Sequence, residues 1–244
     1  MTEILSEIDK LQKEINSYRP LSSNTLKQLK EYYRVGLTYT SNALEGNSLT
    51  ETETKVVLED GITIGGKPLK DHYEALGHSE AYDYMHQLAK TKGFMETDVK
   101  KLHKLFYQRI NSDQAGKYRK EKVFISGSRY PLPAPEKVPA LMKMFIARIK
   151  RPTKKSHPVE FAALVHQEIA FIHPFIDGNG RVARLLMNLS LLQKGYCIAI
   201  IPPIVRVDYI QALEKAHTDD QDFKIFIAQR VCETQKDYLR LLAS

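Results

Sequence analysis

The sequence has 244 residues, 43% of them hydrophobic and 27% charged, the balance of a globular protein built as one large domain or a core with a small extension. Disordered, collagen-like and low-complexity classes are excluded, and a chain of this length buries enough surface to fold without staples. Lysine and arginine number 36 against 29 acids, a formal charge of +7, which suits either a solvated basic surface or a polyanionic ligand such as a nucleotide or nucleic acid. Cys197 and Cys232 form no CxxC pattern, so a disulfide scaffold and a cysteine-based zinc site are not expected, and a reducing cytoplasm is the natural compartment. The N-terminus carries Glu3, Glu7 and Asp9 where a signal peptide needs a basic region and an apolar core. The most apolar stretch, Cys197 to Val205, is short and holds Pro202 and Pro203, so no membrane span is expected.

In chain order the dominant period is helical. Ile4, Leu5, Ile8, Leu11 and Ile15 make one apolar stripe. Ser22 or Asn24 caps a second helix through Leu26, Leu29, Tyr33, Leu37 and Leu44, ending at Gly46, which tolerates positive φ. Thr50 with Glu53 reads as a capping box for a third helix to about Glu59. Gly61 to Pro68 is turn-rich and reads as a tiny hairpin. Two amphipathic helices follow, Asp71–Lys90 and Thr97–Ile110. The character then changes: Gly116 to Pro135 holds Val123, Phe124 and Ile125, then Gly127 and three prolines, and reads as an extended or hairpin flap. Helices resume at Glu136–Lys150, His157–Ile172, Gly180–Lys194, Arg206–His217 and Asp219–Leu242. The fold class is all-α with one β-like flap at about 117–131.

The segment that carries chemistry is His173-Pro174-Phe175-Ile176-Asp177-Gly178-Asn179-Gly180-Arg181-Val182-Ala183-Arg184. Pro174 ends the preceding helix, because the residue before a proline avoids the α region, and leaves His173 at the helix end. Gly178-Asn179-Gly180 feeds a helix N-terminus, an arrangement that binds anions through unpaired N–H groups and the helix dipole. Arg181 and Arg184 share a helix face and suggest several phosphates in a row. Asp177 is a hard oxygen ligand suited to Mg²⁺ held jointly with a polyphosphate. His173 can take a proton near neutral pH.

Gly178 to Ala183 imitates a dinucleotide fingerprint, but no buried strand precedes it and no acid follows about 20 residues on. A zinc site from His157, His166 and His173 lacks HExxH. A glycine turn with surface arginines explains a lone GNG, but not His, Asp, Asn and two Arg around two glycines. Two basic clusters, Lys117, Arg119, Lys120 and Lys122, and Arg148, Lys150, Arg151, Lys154 and Lys155, read as solvated faces. Neither stacking aromatics nor a recognition helix accompanies them, as a nucleic-acid site requires.

The His173–Arg184 segment resembles the signature of the Fic family, HPFx[D/E]GNGRxxR, at every specified position. The similarity extends over most of the chain, from about Asp71 to Leu239. Ser41-Asn42-Ala43-Leu44-Glu45-Gly46 is similar to the family's inhibitory pattern, [S/T]xxxE[G/N], upstream of the core. The resemblance implies an N-terminal helical extension over 1–69 with an inhibitory helix, and an all-α Fic core over 70–244. It implies transfer of AMP from ATP to a Ser, Thr or Tyr hydroxyl of a target protein or of the chain itself, with release of pyrophosphate. By the same resemblance His173 is the general base and Asp177 holds Mg²⁺. Gly178, Asn179 and Gly180 cradle phosphates, Arg181 serves the β-phosphate and Arg184 the γ-phosphate. Glu45, with Ser41 and Gly46 in its motif, occupies Arg184. The flap, Val123, Phe124, Ile125 and Ser126, docks the target by strand addition. A homodimer is compatible with the resemblance, and no membrane partner or dedicated nucleic-acid-binding domain is expected. On the same fold, the alternatives are removal of AMP with Glu45 activating water, transfer of another nucleotide or phosphate-bearing group, and a non-enzymatic nucleotide-responsive module.

Overall fold

A computed structural model describes residues 1–150 and 156–243. Among them are ten α-helices: α1 (Thr2–Ser17), α2 (Ser23–Ala43), α3 (Glu51–Glu59), α4 (Leu69–Leu88), α5 (Glu96–Tyr107), α6 (Val138–Ile149), α7 (Pro158–Ile172), α8 (Asn179–Leu192), α9 (Arg206–Lys215) and α10 (Gln221–Ala243). The sequence located each of them, α3 by its capping box, and local caps set several starts. Ser22 Oγ accepts the Thr25 N–H at 3.0 Å, so Ser22 rather than Asn24 caps α2. Thr50 and Glu53 exchange the two bonds of a capping box, at 2.8 and 3.2 Å. Each such cap satisfies N–H groups that a helix start leaves unpaired.

Helix α8 is the axis of the fold. Every residue from Arg181 to Leu191 is buried, the polar Arg181, Arg184, Asn188 and Ser190 included. One apolar cluster joins it to α2, α4, α5, α6 and α7 through Leu37, Met85, Phe106, Phe145 and Ile169. A second, around Met187, Leu191, Tyr209, Phe223 and Val231, joins it to α1, α7, α9 and α10. Helix α1 lies along α10, while α2 and α3 pack on α4. The C-terminus of α2 thereby meets the N-terminus of α8, the relationship that shapes the site.

Two expected hairpins lack a strand ladder. Residues 61–68 form a turn instead, anchored where the Ile64 N–H donates to His72 Nε2 at 2.8 Å. The flap turns at Gly127, φ 83°, with the Ser128 N–H donating to the Ile125 carbonyl at 3.2 Å. Its returning limb carries Pro131, Pro133 and Pro135, which have no N–H for a ladder, and side chains hold it in place of strand pairing. Of the second basic cluster, Arg148 pairs with Glu168, while Arg151, Lys154 and Lys155 lie outside the described residues. No helix among the described residues is long and apolar enough to cross a membrane.

Candidate active site

His173 closes α7 in the left-handed region, φ 49° and ψ 60°, with its N–H still donating to the Ile169 carbonyl at 2.9 Å. Its ring Nδ1 lies 3.3 Å from the Ala170 carbonyl oxygen. A ring protonated at Nδ1 donates there and leaves Nε2 as a free base. Burial lowers the imidazole from its ordinary 6.5; the Ala170 bond opposes this, Arg119 adds to it, and Glu45 and Asp177 pull it back up. The neutral ring is therefore the favoured form near neutral pH.

The loop after His173 is fixed from three sides. Phe175 is fully buried and stacks on His103 with ring centroids 3.8 Å apart. Asn179 brackets the Phe175 backbone, its Oδ1 accepting from the N–H and its Nδ2 donating to the carbonyl, both at 2.9 Å. The Asn179 side chain is thus spent on loop shape, and only its backbone is left for a ligand. His103 Nδ1 accepts the Gly116 N–H at 2.8 Å, so its protonated Nε2 donates to the Asp177 carbonyl at 3.1 Å. Burial drops the His103 pKa to about 4, so the ring stays neutral in this bridge. Gly178 needs φ 78°, and a Cβ there would stand 2.8 Å from Phe106 Cε1. Asp177 Oδ1 accepts the Gly178 N–H at 2.6 Å, and its side chain is 45% exposed.

The two arginines of α8 have different surroundings. Arg181 is buried over the Phe106 ring at 4.1 Å. Its Nη1 lies 2.9 Å from Glu74 Oε1 and its Nη2 3.5 Å from Asp177 Oδ1. Glu74 is itself buried, and its Oε2 accepts from Asn47 Nδ2 at 2.9 Å. Arg184 is gripped on all sides: Nε donates to Ser41 Oγ at 3.0 Å, Nη2 to the Ser41 carbonyl at 2.8 Å, and Nη1 to Tyr209 Oη at 3.3 Å. Its Nη2 also donates to Glu45 Oε1 at 2.7 Å. Tyr209 Oη sits 2.8 Å from His166 Nε2. Burial pushes His166 down to about 3, so the neutral ring accepts the tyrosine proton and leaves the phenol oxygen to accept from Arg184.

Glu45 follows the last turn of α2, and Gly46, φ 94°, turns the chain away. Burial works to raise the Glu45 carboxyl, but Arg184 and Arg181 outweigh it and hold the group below its ordinary 4.5. A Cβ on Gly180 would collide with the Glu45 carboxylate and stand 3.1 Å from Arg184 Nη1. The carboxylate therefore rests directly against the first turn of α8, where unpaired N–H groups favour an anion. Arg206 Nε pins this turn from outside by donating to the Leu44 carbonyl at 2.9 Å.

The flap presents Phe124, 91% exposed, and Ile125. Glu214 on α9 anchors its return, accepting from Ser128 Oγ at 2.9 Å and the Arg129 N–H at 2.7 Å. Tyr130 stacks on His217, and His217 on Phe171. Arg119 departs from the solvated-face expectation: it is buried at 3% exposure, because its guanidinium has carbonyls to bond on every side. His157, His166 and His173 stand in three different surroundings: His157 caps α7, His166 bonds Tyr209, and the His173 ring lies against the Ala170 carbonyl at the end of α7.

The structure brings the sequence-predicted His173, Asp177, Gly178, Asn179, Gly180, Arg181, Arg184, Ser41 and Glu45 to one place, with the flap at its side. Sequence reasoning missed Glu74, His103 and Tyr209 as members. His103 had one usable signal, a polar residue on the apolar face of α5 between Leu102 and Phe106. Glu74 and Tyr209 had none beyond residue type. A cavity of about 820 Å³ between α2, α4 and the end of α8, walled by Tyr33, Tyr82 and Tyr238, includes no motif residue.

Residues 93–191 match the Fic/DOC family. The chain is 35% identical over 97% of its length to a protein of Nematostella vectensis named protein adenylyltransferase Fic, covering 56% of that protein. It is 33% identical over 96% of its length to the protein of the same name from Drosophila mojavensis, covering 47% of it. The chain spans about half the length of the curated relatives it matches. Among solved structures it superposes on Fic-1 of C. elegans (TM-score 0.88, 27% identity, 98% of this chain and 71% of that one). It also superposes on a Fic-domain signalling protein of Bacteroides thetaiotaomicron (TM-score 0.89, 27% identity, 97% of this chain and 98% of that one).

Proposed function

We propose that this chain, whose residues 93–191 match the Fic/DOC family, is a protein adenylyltransferase held in check by its own Glu45, as its likeness to proteins named protein adenylyltransferase Fic supports. The observation that carries the reading is the Glu45–Arg184 pair over Gly180, at 2.7 Å. A carboxylate fills an anion place built by a helix N-terminus and a buried guanidinium, which a nucleotide's phosphates would also fit. The relatives' printed name, protein adenylyltransferase, supports an adenylyl group as the one transferred, with ATP as its donor.

In the proposed reaction, His173 Nε2 takes the proton from a target Ser, Thr or Tyr hydroxyl. The oxygen attacks the α-phosphorus, the bond to the β-phosphate oxygen breaks, AMP stays on the target and pyrophosphate leaves. Backbone N–H groups of Gly178 to Gly180 receive phosphate oxygens. Arg184 grips the γ-phosphate once Glu45 withdraws. Arg181, already committed to Glu74, contributes charge from below the β-phosphate site. The exposed flap registers an extended target segment. Mg²⁺ fits one place: Asp177 is half exposed with one carboxylate oxygen engaged by a backbone N–H. Among the described residues no three His, Cys, Asp or Glu side chains converge as a metal set, so Asp177 would share the ion with the phosphates. The ion would neutralise charge on the leaving group. The free, buried thiols of Cys197 and Cys232 favour a reducing, cytoplasmic setting.

The test is transfer of α-labelled AMP from ATP to protein in a cell lysate, comparing wild type, Glu45→Gly and His173→Ala. Label on proteins with Glu45→Gly and none with His173→Ala supports the reading; no label with any of them removes it. Release of AMP from premodified protein by the wild type would favour the reverse reaction, for which the ionised Glu45 beside the anion site is the candidate base.

A further inference from the structure

Arg119 lies in the basic run before the flap, yet its side chain faces inward, at 3% exposure. Its Nε donates to the carbonyl of His173 at 2.8 Å, its Nη1 to that of Glu121 at 3.2 Å and its Nη2 to that of Pro133 at 2.6 Å. Its backbone N–H donates to the Pro174 carbonyl at 2.9 Å. One side chain thus ties the outgoing limb of the flap, on which it and Glu121 both lie, to the end of α7 and to the returning limb.

Each end of this clamp answers a local need. The His173 carbonyl is among those that the C-terminus of α7 leaves unpaired, and a cation is the favoured partner at that end of a helix. His173 holds φ 49°, a conformation a non-glycine residue keeps only when its surroundings impose it. Pro174 has no N–H to help. The flap limbs lack a ladder and need another tie. A planar guanidinium can serve three carbonyls in fixed directions, which an ammonium cannot. Burying a charge is costly unless its donors are bonded, and all three nitrogens of Arg119 are.

From this geometry we propose that Arg119 is a positioning residue for the adenylyl transfer: by bonding the carbonyls of His173, Glu121 and Pro133 it fixes the base and both limbs of the flap as one unit. The inference rests on the proposed reaction for its kinetic consequence and on the contacts alone for its mechanical one. A target segment lying on the flap is then registered against His173 by a single buried side chain, and small misplacement of reacting groups costs about 100-fold in rate.

The test uses the full chain carrying Glu45→Gly as parent, with Arg119→Met and Arg119→Lys added. Labelled AMP transfer, the KM for ATP and the rate of tryptic cutting at the exposed Lys120 and Lys122 are measured. Arg119→Met is expected to lower kcat about 10–100-fold with the KM for ATP nearly unchanged. Flap cutting should quicken at least several-fold. Arg119→Lys should recover part of both, since an ammonium reaches fewer of the carbonyls. Wild-type-like transfer and cutting in Arg119→Met would overturn the proposal, as would a parallel loss of ATP binding and transfer. If Arg119→Met does not fold, Arg119→Lys is judged on the same readouts. If the parent itself transfers no label, the adenylyltransferase reading fails and cutting alone decides the clamp: faster supports it, unchanged overturns it.

Discussion

Of the three side chains bonded to Arg184, Ser41 and Tyr209 are buried, whereas the Glu45 side chain, 2.7 Å away, is 35% exposed. The buried partners fix the guanidinium and the exposed one is free to leave. Glu45→Gly should therefore raise the rate of AMP transfer by about 10–100-fold while changing nucleotide affinity much less, because the gain is alignment. Glu45→Gln should give part of the gain, since an amide oxygen still accepts one bond. Arg184→Ala should give none, since it removes the phosphate grip along with the carboxylate's partner. Equal self-labelling by wild type and Glu45→Gly at matched ATP and Mg²⁺ would contradict the proposed inhibition.

His173→Ala in the Glu45→Gly background should lose about 10²–10⁴-fold in transfer, the usual worth of a general base. ATP binding by calorimetry and the melting temperature should stay close to the parent's, because the phosphate-facing groups sit on α8. Substantial label transfer by a folded His173→Ala protein would mean another group takes the proton.

The pH dependence follows from two lowered groups. Burial holds His173 below 6.5, so the neutral base persists as pH falls through that value. The acid limb of the Glu45→Gly rate profile should have its midpoint below 6.5. Removing Glu45, which raises His173, moves the midpoint further down. Glu45 itself is held below 4.5 by Arg184 and Arg181 against the effect of burial. Folding therefore favours its ionised form. The pair's contribution to stability is present above 4.5 and is lost as pH falls through the lower folded value. Melting curves of wild type and Glu45→Gln should keep a constant separation from about pH 5 to pH 8 and converge below 4.5. Convergence already near pH 6 would show that the carboxylate is not held as described.

Gly178→Ala should destabilise the fold by about 1–3 kcal/mol, because alanine would have to hold φ 78° and place a Cβ against Phe106. At roughly 2–4 °C per kcal/mol for a chain of this size, differential scanning calorimetry resolves the effect. An unchanged melting temperature would show that the loop relaxes around the methyl group.

Glu74→Ala should cost about 3 kcal/mol, since it leaves the buried Arg181 with only the half-exposed Asp177 carboxylate, 3.5 Å away, and leaves Asn47 Nδ2 without one acceptor. Denaturant unfolding measures this directly. Arg181→Met combined with Glu74→Leu should recover much of the loss, because replacing both partners of a buried pair by apolar groups is often nearly neutral.

Ten helices were legible in the sequence, since their signals are local: an apolar residue every three or four positions, Ser22 and Thr50 at starts, Gly46 and Pro174 at ends. The His173–Arg184 loop was legible for the same reason, all its chemistry lying in one continuous run. The flap was located but its form was not, because pairing into a ladder depends on donors that Pro131, Pro133 and Pro135 lack and on anchors such as Glu214, supplied by another helix.

The sequence by itself therefore determined the helical architecture, the glycine-led start of α8 with its two arginines, and the presence of a candidate base. The tertiary structure alone decided which distant groups complete the site. Glu45 meets Arg184 across 139 residues, His103 meets Asp177 across 74, and Arg119 meets His173 across 54. Residue patterns specify a helix through neighbours one turn apart, whereas these pairs exist because α2, α5 and the limb before the flap pack against the end of α7 and the start of α8. Burial then determines what each group is: the same arginine side chain is a solvated charge at an exposed flap position and a three-way clamp at position 119.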